Sequence, residues 1–146
     1  MDDVLTFYAH GPDWDEAKFL DHLNNECYLP PLKLVDGGEG TFLETSFCIT
    51  EANSIRYWLK NDNIQGTNPK VVRYAHFHSH ADFGQKRATL MACLRKVHGM
   101  ASDGLALRSS ALQKLAEFAA LRYPPKLLWS ACTTMGVATR DTIWFR

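Results

Sequence analysis

The apolar residues of this chain change period along its length. In segments such as Thr41 to Ile49 and Lys70 to His80 they alternate with polar residues, whereas from Gln85 to the Pro124-Pro125 pair they recur every three or four positions. Alternation divides side chains between the two faces of a strand, and a 3.6-residue period gathers them on one side of a helix. The pattern therefore predicts a mixed α+β fold.

Val4 to His10 reads as a first strand, ended by Gly11-Pro12. A capping pair, Asp13 and Glu16, opens a helix to about Asn25 on which Trp14, Ala17, Leu20 and Leu23 share a side. Leu32 to Val35 and Thr41 to Ile49 are further strand candidates, separated by the glycine turn at Asp36-Gly37-Gly38. Thr50 is placed to cap a second helix striped by Ile55, Trp58 and Leu59. Lys70 to His80 alternates most regularly and is expected to be a strand. Helices follow over Gln85 to Met100 and from Ser110 to the Pro124-Pro125 pair, the second carrying Leu112, Leu115, Phe118 and Leu121. Leu127 to Thr133 and Thr142 to Phe145 close the chain as a strand pair. Together these elements suggest a split βαβ-like core, a mixed and mostly antiparallel sheet with helices packed on one face, and C-terminal helices.

Composition narrows the class. The 146 residues are 46% hydrophobic and carry 16 Lys+Arg against 16 Asp+Glu. That content suits a single α+β domain over residues 1–146 and excludes disorder as the main state. The balanced charge argues against a partner held by bulk charge, so neither nucleic acid nor an anionic membrane surface is expected. The four cysteines form no C-x-x-C pair, and Met1-Asp2-Asp3-Val4 lacks the basic start of a secretory signal. No apolar run approaches the roughly 18 residues of a membrane span. A cytoplasmic protein with free thiols is the expectation, and a homo-oligomer is compatible with it.

Three of the six histidines fall in His76-Phe77-His78-Ser79-His80. On a strand, residues two apart share a face, so His76, His78 and His80 would present imidazoles together and could converge on one metal ion, with zinc the default. Asp82 is the nearest acid after them, and Glu44 or Glu51 would serve as the general base for a zinc-bound water. The alternative is a polar strand end that coordinates nothing, or metal-free histidine chemistry. On the same sheet face, Tyr8, His10 and Tyr74 would form a binding surface.

The stretch Val71 to Gly84 resembles the zinc-site segment of the JAB1/MPN (JAMM) metalloprotease family, in which an apolar strand leads into His-Ser-His. The resemblance implies that His78 and His80 match the two zinc-binding histidines and Ser79 the residue between them. Ala81 stands where the family has proline, and the serine and zinc-binding aspartate that follow in the family are lacking here. The family's upstream glutamate would be Glu44 or Glu51.

Other features read more plainly as structure. Cys48 and Cys132 are expected in the core, Lys86, Arg87, Arg95 and Lys96 on a solvated helix face, and Trp14, Trp58, Trp129 and Trp144 as packing anchors. Two classes of function follow. One is a non-catalytic binding, regulatory or accessory protein, immunity-like in kind, that holds a protein partner or small molecule on a sheet face or helix surface. The other is a small zinc-dependent hydrolase built on His78 and His80. The missing acidic ligand favours the first.

Overall fold

The computed structural model describes residues 15–27, 40–60, 63–65 and 68–145. The chain is α+β and divides into two compact units, Met1–Phe42 and Leu43–Arg146.

In the first unit, helix α1 (Glu16–His22) runs into a π-helical turn, Leu23–Cys27. Its cap is Asp15, whose carboxylate accepts the Lys18 amide at 2.8 Å. The expected cap, Asp13, and Trp14 lie outside the described residues, as do the strand candidates at 4–10 and 32–35. Strand β1 (Thr41–Phe42) follows Gly40, whose φ of 83° glycine adopts without a Cβ penalty.

The second unit begins with a hairpin. Strands β2 (Thr45–Ile49) and β3 (Ile55–Leu59) pair antiparallel, with Phe47 opposite Tyr57 and Ile49 opposite Ile55. The helix expected from Thr50 is thus a strand. Thr50 closes the turn instead: its amide donates to Ser54 O at 2.8 Å and its carbonyl accepts from Asn53 N at 2.9 Å. Asn53 takes the left-handed conformation, φ 55°, which asparagine tolerates better than most residues. Once the chain has turned, the β-branched and aromatic run Ile55-Arg56-Tyr57-Trp58 favours a strand over a helix.

Two-residue strands β4 (Ile64–Gln65) and β5 (Asn68–Pro69) form a second antiparallel pair. Residues 70–82, expected to continue as a long strand, are irregular. Their backbone groups bond to side chains and to a helix end. Val71 exchanges two bonds with the Asn63 side chain, both at 2.9 Å. Phe77 N–H donates to Leu121 O at 2.9 Å, and Ala75 O accepts from the Tyr123 hydroxyl at 3.2 Å. With those groups engaged, no ladder forms, and alternation alone does not specify a strand. Of the four strands expected in the split βαβ arrangement, therefore, those at 4–10 and 32–35 lie outside the described residues, Thr41 to Ile49 is present as β1 and β2, and the one at 70–80 is replaced by this segment.

Helix α2 (Phe83–Gly99) agrees with expectation and is capped by Asp82. Helix α3 (Gly104–Ala120) starts six residues before Ser110, because Asp103 caps it through the Leu105 and Ala106 amides, each at 2.9 Å. Its buried stripe is Leu107, Ser110, Ala111, Lys114, Glu117 and Phe118, leaving Leu112 exposed. The closing strand pair is overturned: helix α4 (Pro125–Thr139) is followed by a 3-10 turn, Thr142–Phe145. Helix α3 ends at Ala120, after which Arg122 takes the left-handed conformation, φ 66°, and the Pro124-Pro125 pair starts α4, since proline suits the first helical position. The core joins Leu90, Leu94 and Val97 of α2 with Leu107 and Phe118 of α3, Ala131 and Met135 of α4, and Leu59, Tyr123 and Trp144. Trp129, expected as an anchor, is exposed.

Candidate functional site

The histidine segment is a surface loop leading into α2. His76, His78 and His80 are exposed, and the rings of His76 and His78 lie 5.6 Å apart. The His78 amide donates to His76 Nδ1 at 3.2 Å, so that nitrogen already serves the loop as an acceptor. Asp82 is engaged as the cap of α2, accepting from Gln85 N at 3.3 Å. Among the described residues, no three His, Cys, Asp or Glu side chains are grouped so as to hold a metal ion. Among the described residues, His76, His78, His80 and Asp82 thus do not make up a three-ligand set, one imidazole nitrogen and the acid being turned to local backbone bonds.

The two candidate bases lie beyond opposite ends of β2. Glu44 pairs with Lys96, whose hydrogen bond and charge hold the carboxyl below its usual range. A carboxylate stabilised in this way is a weaker proton acceptor. Glu51 is exposed in the hairpin turn. Tyr8 and His10, the other expected members of the binding face, lie outside the described residues.

Tyr74 is half-buried and stacks on Phe118 with ring centroids 4.9 Å apart. The Lys114 ammonium lies 3.4 Å from its hydroxyl and 5.3 Å from its ring centroid. Burial, followed by the neighbouring Cys93 thiol and the Glu117 charge, pushes the phenol well above its ordinary range. Tyr74 is thus a packing residue that fastens the irregular segment to α3.

Behind it is a polar network that sequence reasoning missed. Lys114 Nζ donates to Glu117 Oε2 at 2.7 Å, and Asn63 Nδ2 donates to the other oxygen, Glu117 Oε1. All three residues are almost wholly buried. A signal was available, because Lys114 and Glu117 follow Leu107 and Ala111 and precede Leu121 at helical spacing. They are polar residues in an apolar stripe. Lys86, expected on a solvated face, is also buried; it donates to Ser79 O at 2.7 Å and sits 5.7 Å from the Phe77 ring centroid. The thiol of Cys132 is buried and its pKa raised by that burial, which opposes thiolate chemistry. Cys48 is exposed rather than in the core.

The β2–β3 hairpin presents a different kind of surface. Its base is docked on α3: Tyr57 exchanges bonds with Ser102 at 2.9 and 3.0 Å, and Arg56 Nε reaches Asp103 Oδ2 at 2.6 Å. Because the backbone of Tyr57 bonds to Ser102, the Phe47–Tyr57 and Ile49–Ile55 positions are non-hydrogen-bonded pairs, where cross-strand side chains approach most closely. Leu59 anchors one end of this face in the core. At the turn end, Ile49, Ile55 and Tyr57 are 64%, 43% and 42% exposed.

Comparison with protein-family models, with curated proteins and with solved structures yields no match.

Proposed function

We propose that this chain is a non-catalytic binding protein of regulatory or accessory type, which engages a protein partner through the apolar face of its β2–β3 hairpin. The observation carrying this reading is the Ile49–Ile55 pair and Tyr57, three large apolar side chains held close together and exposed on one strand face. Contiguous apolar surface of this kind is what a partner covers, whereas isolated exposed residues need no explanation. Of the residues weighed for chemistry, Glu44 is paired with Lys96 and Asp82 caps α2.

The test is cross-linking in the native cells followed by mass spectrometry, comparing wild type with Ile49→Lys/Ile55→Lys and with His78→Ala. A partner cross-linked at the hairpin, lost in the double lysine variant and retained in His78→Ala, supports the reading. Elemental analysis of protein prepared without a histidine tag is the opposing arm. About one zinc per chain, removed by His78→Ala, would overturn the proposal in favour of a zinc hydrolase.

A further inference from the structure

A second feature, independent of the hairpin face, lies where β3, the start of α3 and the C-terminal 3-10 turn meet. Arg56, Asp103, Gly104, Leu105, Arg108 and Ile143 line a cleft of about 430 Å³. That volume lies in the range of about 300–1,000 Å³ that small-ligand sites occupy.

The charges in the cleft do not cancel. Asp103 is the one carboxylate among the described residues that line it, and both oxygens are engaged: Oδ1 accepts the Leu105 and Ala106 amides, and Oδ2 accepts from Arg56 Nε. Arg108, one turn into α3, is exposed and makes no side-chain hydrogen bond or ion pair among the described residues. Two guanidinium groups therefore face one carboxylate, leaving a single positive charge. The first amides of α3 are taken by Asp103, so an anion here would be held by guanidinium groups and not by the helix end.

The remaining walls are aliphatic. Leu105 is 66% exposed, and Ile143 closes the other side. Gly104 permits this, because a Cβ there would overlap the Ile143 side chain. The 3-10 turn thus lies against the start of α3, with its isoleucine beside the arginines.

We infer that this cleft binds a monocarboxylate carrying an aliphatic chain, with the Arg108 guanidinium, assisted by Arg56, on the carboxylate and Leu105 and Ile143 on the chain. A planar fork of donors suits a carboxylate, and one net positive charge beside Asp103 suits a monoanion better than a phosphate dianion. Such a group occurs in free short-chain acids and at the C-terminus of a peptide ending in an aliphatic residue.

Titrations followed by ¹⁵N–¹H correlation spectra on the full chain test this, with hexanoate and N-acetyl-alanyl-leucine as probes and hexanol as the uncharged control. Saturable shifts of the Gly104, Leu105 and Ile143 amides are expected with at least one carboxylate and not with hexanol. Tighter binding of the dipeptide identifies a peptide C-terminus as the source, and tighter binding of hexanoate a free acid. Arg108→Gln, at an exposed position, should weaken binding about tenfold while leaving the melting transition unchanged. Absence of saturable shifts with both carboxylates, equal response to hexanol, or undiminished binding by Arg108→Gln would overturn the inference.

Discussion

Lys114 and Glu117 occupy positions on α3 that apolar residues would fill at no electrostatic cost. Transferring an ammonium and a carboxylate into an interior is unfavourable unless each finds partners, and here each does. Lys114 meets Glu117 Oε2 and Tyr74; Glu117 also accepts from Asn63, and Asn63 completes its own bonding on Val71. The network thereby converts helix burial into a hold on Asn63, Val71 and Tyr74, the last two within the irregular segment 70–82. Breaking one member should cost far more than removing the pair. Lys114→Met leaves the Glu117 carboxylate buried without a cation and is expected to destabilise the chain by about 3–5 kcal/mol. Adding Glu117→Gln to that variant removes the orphaned charge and should recover a substantial part of the loss. Urea denaturation of the three proteins measures both steps, and equal stability of the single and double variants would refute the assignment of the cost to a stranded carboxylate.

At the scale of elements, legibility followed the presence of local stop and start signals. Helix α2 was readable because Leu90, Leu94 and Val97 keep helical spacing, although its cap, Asp82, reads in the sequence as a candidate metal ligand. The fold class was readable for the same reason, from period alone. Elements whose form depends on distant partners were not. Residues 70–80 alternate like a strand, yet their backbone bonds go to Asn63, Leu121 and Tyr123, partners that no local pattern reveals. The histidines consequently form a loop rather than one strand face, and the expected convergence of ligands disappears with the strand. In α3 the expected stripe holds at Phe118 and Leu121, which are buried, and at Leu115, which packs against the core; it fails at Leu112, which is exposed while Lys114 is buried, since Leu112 looks more like core than Lys114 does. The terminal strand pair failed because Leu127 to Thr133 is apolar enough for either state; burial of Ala131, Cys132, Met135 and Gly136 on one side is a helical signature. Gly136 is small because α4 and the 3-10 turn approach there, and an added Cβ would overlap three ring carbons of Phe145. Gly99, at the end of α2, has nothing within 4 Å of that position. The same substitution should therefore act in opposite directions. Gly99→Ala is expected to stabilise by about 0.5–1 kcal/mol through helix propensity, and Gly136→Ala to destabilise by about 1–3 kcal/mol through crowding. Thermal unfolding checks the signs, and Trp144 fluorescence should report a shifted 3-10 turn only in Gly136→Ala.

For the molecule as a whole, the distribution of buried apolar surface bears on which residues can fold alone. Among the described residues, the members of the buried core cluster lie between Leu59 and Trp144, within the unit Leu43–Arg146. The polar network through Asn63, Lys114 and Glu117, the hairpin dock at Ser102 and Asp103, and the caps of α2 and α3 fall within it too. A segment of roughly 100 residues with one continuous core is in the size range of autonomous domains. The fragment 43–146 is therefore expected to fold without residues 1–42, keeping the far-ultraviolet circular dichroism of three long helices and unfolding in one cooperative transition. Its midpoint should lie within about 8 °C of the full chain, the shift that roughly 1 kcal/mol produces in a domain of this size. Cooperativity is the decisive readout, because helical signal alone survives in a collapsed state that has lost side-chain packing. A broad transition with binding of an apolar dye would mean that the core does not close without residues 1–42. A sharp transition that Lys114→Met lowers in the fragment as much as in the full chain would show that core and network together suffice to order the loop and the hairpin.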